Sequence, residues 1–423
     1  MDDLDRAVTR LAPRAFELLA RLVAQPSTIG QEQGAEAVLG DALAEAGFGL
    51  TLLPIPDDIG DDPDAGVPIR SYADRYDLIA ERHGGRDRRS LILNGHIDVV
   101  PADDPSMWST PPFEPEIVDG WMIGRGAGDM KGGFAAGLLA LWALDEVSPG
   151  WLGGDLTVVA AIEEESTGNG TLAAGRAGYL ADAALLLEPT DLDLLLGGIS
   201  LIWVGIEIDG LAGHAEAALS SVNPILSAGP IIQALQKLEA EMNAAHASGD
   251  GADAAFVAVT HPYNVNIGKL HAGDWASSVP PIARLEVRVG HPAAWSSDEA
   301  FARVQGAIDE AIAGDEWLAG HPPRLKLTGY RAQRYMQDAG AEIVTSVAAA
   351  HQAAHGTDPA RVAIGSTTDA RFYLNQFAVP AVAYGPRTRN MHGTDEAVEL
   401  ASIVEVAQTV AHFLREWFRE GTS

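Results

Sequence analysis

Apolar residues first recur at helical spacing over residues 14–24, where Phe16, Leu19, Leu22 and Val23 form a stripe and Pro13 suits a first turn. A second helix is predicted over 31–46, closed by Gly47. Residues 54–72, rich in Asp, Pro and Gly, read as a loop. The run Ser90-Leu91-Ile92-Leu93-Asn94 predicts a strand that continues into Gly95-His96-Ile97-Asp98. A glycine-rich turn at Gly124–Gly128 leads into a helix from Met130 to Glu146. Strands at Leu156–Ile162 and Ala183–Leu187 follow, with a polar turn and a helix between them. Nearly unbroken apolar strands alternating with helices predict an α/β fold, its sheet mostly parallel and flanked by helices.

The pattern changes after residue 198. Leu201–Ile208 and Ala283–Val289 are strand-like, and 224–244 and 298–313 are helical, which reads as an α+β insert over 199–327. Alternation resumes with a helix at 338–355, a strand at 378–384 and a last helix at 400–418. The expected organisation is a catalytic domain of 1–198 and 328–423 interrupted by a second domain of 199–327.

Composition narrows the possible functions. At 47% hydrophobic and 21% charged residues the 423-residue chain has ordinary globular values. A net charge of −31, from 28 Lys+Arg against 59 Asp+Glu, disfavours nucleic-acid backbones as partners. The absence of cysteine excludes disulfides, thiolate nucleophiles and thiolate metal sites, so any transition-metal centre must use His and carboxylates. Met1-Asp2-Asp3-Leu4-Asp5-Arg6 lacks the basic and apolar regions of a signal peptide, and no run of about 18 apolar residues exists. A cytoplasmic enzyme without a membrane span is the expectation.

Several chemistry-bearing residues end apolar strands. His96 and Asp98 lie two apart, on one face of a strand. Gly126-Ala127-Gly128-Asp129-Met130-Lys131-Gly132-Gly133 fits neither phosphate-binding pattern, and its glycines allow a tight bend around Asp129. Glu163-Glu164-Glu165 follows one apolar strand directly and Glu188 another, while His392 lies in the last strand–helix loop. Open α/β sheets bind ligands at the carboxyl ends of their strands. Two histidines and several carboxylates gathered there, without cysteine, suit divalent metal ions that relieve the repulsion between the acids. The sequences H-E-x-x-H and G-x-S-x-G are absent.

Taken together, these segments resemble the metallopeptidase/deacylase family of acetylornithine deacetylase, succinyl-diaminopimelate desuccinylase, aminoacylase and glutamate carboxypeptidase, over nearly the whole chain. The resemblance implies that His96 binds one metal and His392 the other, that Asp129 bridges them, and that Glu188 completes the first site and Glu165 the second. It implies Asp98 as the residue orienting His96 and Glu164 as general base. The last two glutamates of the triplet are aligned with the family's pair, and Glu163 offers a competing register. A cis peptide at Asp129-Met130 is also implied. The cofactors expected are two divalent ions, zinc with cobalt or manganese able to serve.

The same resemblance marks His214, in Gly210-Leu211-Ala212-Gly213-His214-Ala215, as an oxyanion-stabilising donor that reaches the active site of the other subunit, so a homodimer is expected, paired through the inserted domain. Arg288 matches a lid arginine for the substrate carboxylate. Asn223, Ser277, Thr367 and Arg371 are further substrate-contact candidates. The implied reaction is hydrolysis of an N-acyl amino acid, acetylornithine-like. Competing readings are a dipeptidase or carboxypeptidase with the same machinery, and a catalytically inactive binding protein of the same fold.

Overall fold

The computed structural model describes residues 2–85, 89–249 and 253–419. Its largest sheet has nine strands. Four central ones run parallel side by side: Asp155–Ala161, Leu91–His96, Ala184–Leu186 and Ala381–Ala383. Antiparallel strands flank them, Tyr76–His83 and Gly49–Pro54 on one side and Leu194–Gly198 and Tyr335–Met336 on the other. Leu194–Gly198 also takes Arg361–Ile364 as a parallel neighbour.

Alternation of side chains across the pleat explains the unbroken apolar runs. Leu91 and Leu93 belong to the core on one face and Ile92 to the core on the other, all three essentially inaccessible. Each such side chain contributes about 1.5–3 kcal/mol by leaving water. On the first face pack the helices Asp3–Val23, Gly132–Val147, Glu342–His355 and Leu400–Trp417. The helix Gly132–Val147 is buried from Gly132 to Leu144, which is why its sequence is apolar all round. It approaches the sheet so closely that a Cβ at Gly133 would lie 1.9 Å from the Leu187 carbonyl oxygen. The strand leading to Glu188 and the turn bearing Asp129 are thereby drawn together.

The first helix begins eleven residues earlier than the spacing over 14–24 predicts. Asp2 and Asp5 form a reciprocal cap, the Asp5 amide donating to Asp2 Oδ1 at 2.9 Å and the Asp2 amide to Asp5 Oδ2 at 3.2 Å. Buried Leu4, Ala7, Val8 and Ala12 continue the stripe, so Pro13 lies inside the helix instead of opening it. Packing of that face outweighs the loss of one amide donor.

A second sheet is wholly antiparallel, in the order Val265–Ala272, Ile282–His291, Ser200–Asp209, Arg324–Ala332. One face buries Ile202, Val204, Ile206 and Ile208 against Ile231, Leu235 and Leu238 of the helix Pro224–Ser248, which packs beside Ser297–Ile312. Its last strand runs to Ala332, five residues past the 327 boundary read from the sequence. Among the described residues no helix is long and apolar enough to cross a membrane.

Candidate metal centre

The carboxyl ends of the central strands converge at one cavity. His96 ends its strand, Glu164 and Glu165 follow Asp155–Ala161, Glu188 follows Ala184–Leu186, and His392 lies beyond Ala381–Ala383. Asp129 comes from the turn before Gly132–Val147, and the Asp129–Met130 peptide is cis, as the resemblance implies.

Asp129 stands between two groups of potential ligands. One is His96, Asp129 and Glu188; the other is Asp129, Glu165 and His392. The ligand atoms within each group all lie within 4.8 Å of one another. His96 Nε2 is 3.0 Å from Asp129 Oδ1 and 3.8 Å from Glu188 Oε2. His392 Nε2 is 3.4 Å from Asp129 Oδ2 and 3.1 Å from Glu165 Oε2. Each histidine therefore faces a different oxygen of one carboxylate. Glu188 Oε1 is buried without a hydrogen-bond partner, an orphan acceptor beside an imidazole. Nitrogen and carboxylate donors in two sets sharing one bridging acid fit a pair of divalent ions.

The electrostatics agree with that fit. Burial pushes the Glu188 carboxyl up to about 8, with Asp129, Asp369 and Glu165 adding to it against His96. Burial also drives Glu164 well above the ordinary carboxylate range, helped by Asp369, Glu188 and Glu165. Glu165 is the main cause of a His392 value raised to about 11. At His96, burial opposes the charge, yet Asp129 and Glu188 hold the imidazole well above its usual value. Acids this crowded need positive charge close by.

Supporting contacts sort the acidic triplet. Glu163 is fully buried, ion-paired with Arg75, and accepts from the Tyr72 hydroxyl at 2.6 Å and the Thr167 hydroxyl at 2.8 Å. Its φ is +61°, in the left-handed region, so this side-chain network holds the turn that presents Glu164 and Glu165. Glu164 lines the cavity, and Glu163 does not.

Asp98 supports His96 differently from the expectation. The nearer partner of His96 Nδ1 is the Asp98 carbonyl oxygen, at 2.8 Å; the carboxylate lies 3.7 Å away. That carboxylate instead accepts the amides of Glu164 and Glu165, each at 3.2 Å.

The remaining candidates divide between cavity and surface. Arg288 and Thr367 line the cavity, and Arg288 donates to the Gly365 carbonyl at 3.1 Å. Arg371 does not line it: the side chain is buried, donating to the carbonyls of Thr167 at 2.9 Å and Thr368 at 3.2 Å, with its guanidinium over the Phe372 ring. In this position it braces two loops behind the cavity wall. His214, Asn223 and Ser277 also lie off this cavity. His214 is exposed on the short pairing of Gly213–His214 with Ser278–Val279; Ser277 is exposed beside it and accepts the Ala215 amide, and Asn223 caps the helix Pro224–Ser248.

Three supporting residues escaped the sequence reading. Glu396 accepts the amides of Gly126, Gly128 and Asp129 on one oxygen, at 2.9, 3.0 and 3.0 Å, and pairs with Arg125 through the other. Lys131 is fully buried, donating to the carbonyls of Leu22 and Gln25 at 2.9 Å each. Tyr330 lines the cavity, with its hydroxyl bonded to the Glu164 carbonyl oxygen and 3.4 Å from Glu164 Oε2. Glu396 follows the last histidine closely, which was the available signal; nothing near Tyr330 in sequence marks it.

Residues 92–416 match peptidase family M20/M25/M40. The chain is 30% identical over 414 residues to succinyl-diaminopimelate desuccinylase of Methylorubrum extorquens, covering 95% of this chain and 98% of the relative. It is 27% identical over 350 residues to N-formyl-4-amino-5-aminomethyl-2-methylpyrimidine deformylase of Halalkalibacterium halodurans, covering 78% and 79%. In fold it is similar to the di-peptidase Dug1p of Saccharomyces cerevisiae, with a TM-score of 0.82 at 16% identity over 99% of this chain and 98% of the other. Human carnosine dipeptidase 1 is similar as well, with a TM-score of 0.77 at 14% identity over 99% of both chains. With its two sets of His and carboxylate ligands meeting at Asp129, the chain belongs to peptidase family M20/M25/M40 and is a metal-dependent enzyme of that peptidase and amidohydrolase class.

Proposed function

We propose that the protein hydrolyses the amide bond of an N-acyl amino acid, releasing a carboxylic acid and a free amine. The observation that carries this reading is the sharing of Asp129 between two ligand sets, with Glu164 in the same cavity. His96, Asp129 and Glu188 would hold one divalent ion and Asp129, Glu165 and His392 the other; zinc suits these donors, and cobalt or manganese is compatible with them. Such a pair, when bound, supplies Lewis acidity to the amide carbonyl and lowers the pKa of a water molecule.

The chain's own residues do the rest. Glu164 takes a proton from the attacking water as its oxygen bonds to the carbonyl carbon. It returns that proton to the nitrogen as the C–N bond breaks. The Tyr330 hydroxyl stands beside the Glu164 carboxylate, and the hydrogen bond that the Glu164 backbone amide donates to the Asp98 carboxylate holds the segment that carries it. Arg288 presents a guanidinium suited to the substrate carboxylate.

His214 is assigned to the site of a second copy. In its own chain it is exposed, close in sequence to exposed apolar Leu219 and Leu226, which supports an interface between two inserted domains. On this reading 1–198 with 328–423 form the catalytic domain and 199–327 the lid and dimerisation domain.

A panel of N-acetyl, N-formyl and N-succinyl amino acids beside dipeptides, assayed with metal-loaded enzyme, tests the reaction class. Turnover of at least one N-acyl amino acid is expected; turnover of dipeptides alone would replace the deacylase reading with a peptidase. Glu164→Gln should lower kcat by at least about a hundredfold while both metals stay bound. Full activity in that variant refutes the general-base assignment.

A further inference from the structure

The cavity holding the two ligand sets measures about 640 Å³, and its walls are chemically uneven. Beyond the ligands and Glu164, the charged side chains lining it among the described residues are Lys269, Glu286 and Arg288. Two of these neutralise each other. Lys269 stands opposite Glu286 in the antiparallel register of Val265–Ala272 and Ile282–His291, directly after the irregularity between Ile267 and Lys269. Its Nζ lies 2.8 Å from Glu286 Oε2. Arg288, two residues on and on the same face of the strand, touches only neutral groups: the Gly365 carbonyl at 3.1 Å and the Ser366 hydroxyl at 3.4 Å. One uncompensated cation is therefore available to a substrate on this wall.

Away from the ligands, Glu164 and the hydroxyl-bearing Ser366, Thr367 and Thr368, the catalytic-domain lining has another character. Ile29, Ile69, Val100 and Met391 all face the cavity, and Ile69 and Met391 keep 45% and 49% of their surface in water. Large apolar side chains left wet at a cavity gain from covering by an apolar group and gain nothing from a charged one.

Resting on the amide-hydrolase reading above, we infer that the preferred substrate carries a single carboxylate, taken by Arg288, and an uncharged apolar acyl group. A dianionic N-succinyl substrate is selected against. Its second carboxylate would meet the solvent-exposed Lys269–Glu286 pair, neutral hydroxyl and amide groups such as Ser366, Thr368 and Asn266, or apolar walls, with no further unpaired cationic side chain lining the cavity among the described residues and in a chain whose net charge is −31. Glu286 is on this reading a specificity-determining residue, acting by occupying Lys269, the other Lys or Arg side chain that lines the cavity among the described residues.

N-butanoyl-L-alanine and N-succinyl-L-alanine share a four-carbon acyl chain and differ in its terminal charge, so they isolate the effect. With metal-loaded wild-type enzyme, kcat/KM for the butanoyl compound should exceed that for the succinyl compound by at least about tenfold, since like-charge placement and unpaired charge are strongly selected against. Glu286→Gln, which leaves Lys269 unpaired, should narrow that ratio several-fold. Equal or faster turnover of the succinyl compound, or a ratio unmoved by Glu286→Gln, overturns the inference. Failure of the amide-hydrolase reading looks different: neither compound is turned over. The thermal shifts that the two compounds give with metal-loaded Glu164→Gln protein then still rank them, and a butanoyl shift no larger than the succinyl shift overturns the inference independently of turnover.

Discussion

The carboxylate of Asp98 accepts the backbone amide of Glu164 at 3.2 Å, and its other oxygen accepts the amide of Glu165 at the same distance. One acid thus fixes the start of the segment that carries both the proposed base and a proposed metal ligand. In Asp98→Asn, one carboxylate oxygen becomes an NH2 group facing an amide donor, so one of the two bonds is lost and replaced by a repulsive contact. Supporting groups around metal ligands typically alter affinity or activity by about 10–100-fold. We expect a kcat loss of that size together with weaker metal binding. Because His96 Nδ1 is served by the Asp98 carbonyl oxygen, the His96 set should weaken less than the His392 set. Metal titration with stepwise affinities would show it; equal weakening of both steps counts against this division of labour.

Arg75 forks between Glu32 and Glu163, and all three side chains are buried. Removing one partner of a buried ion pair typically costs about 3–5 kcal/mol, because the remaining charge stays buried. Arg75→Ala abandons two carboxylates and should reach at least that range in urea unfolding. It should also reduce kcat in the protein that remains folded, since Glu163 anchors the turn before Glu164. A variant with wild-type stability would mean that water replaces the guanidinium freely.

How far the sequence reaches is clearest at these same residues. His96, Asp129, Glu165, Glu188 and His392 were legible because each follows an apolar strand or a glycine turn, and strand ends in such sheets face one edge. The register within Glu163-Glu164-Glu165 rested on the resemblance alone: period-2 reasoning ends where the strand ends, and the partners that tie Glu163 down, Arg75, Tyr72 and Thr167, include two from a distant segment. Arg371 is a candidate in the sequence because its segment resembles a substrate-contacting loop; its side chain is buried behind the lining, bonded to the Thr167 carbonyl and stacked between the rings of Phe372 and Tyr330. The strands Leu194–Gly198 and Val265–Ala272 were missed because glycines dilute the apolar signal and because cross-strand pairing, not local composition, makes them strands.

Glu36 gives a pH-dependent prediction away from the metal centre. Burial, with Glu32 and Asp77 adding, pushes its carboxyl from 4.5 up to about 8, and Oε2 lacks a partner. Between those values the folded chain keeps a proton that the unfolded chain releases. Stability is therefore full below about 4.5 and falls as pH rises towards 8. Glu36→Gln keeps the shape and removes the titration. It should flatten this part of the profile and stabilise the protein at pH 8 by an amount on the order of a few kcal/mol. Urea midpoints at pH 5, 6.5 and 8 for both proteins, metal-loaded, decide it; parallel profiles would place the pH dependence elsewhere.

Subunit mixing tests the assignment of His214. Alone, His214→Ala and Glu164→Gln should each be nearly inactive with metals bound. In a heterodimer of the two, one site combines the intact Glu164 of the His214→Ala chain with the intact His214 of its partner, while the other site lacks both. Random exchange of equal amounts gives half heterodimers with one working site each, so activity should return to about a quarter of the wild-type value in a two-fold symmetric dimer. If His214 served its own chain, every site in the mixture would lack one of the two groups and no recovery would follow. Activity that stays at the level of the separate variants, with exchange verified by native mass spectrometry of differently tagged chains, therefore rules out a site shared between subunits.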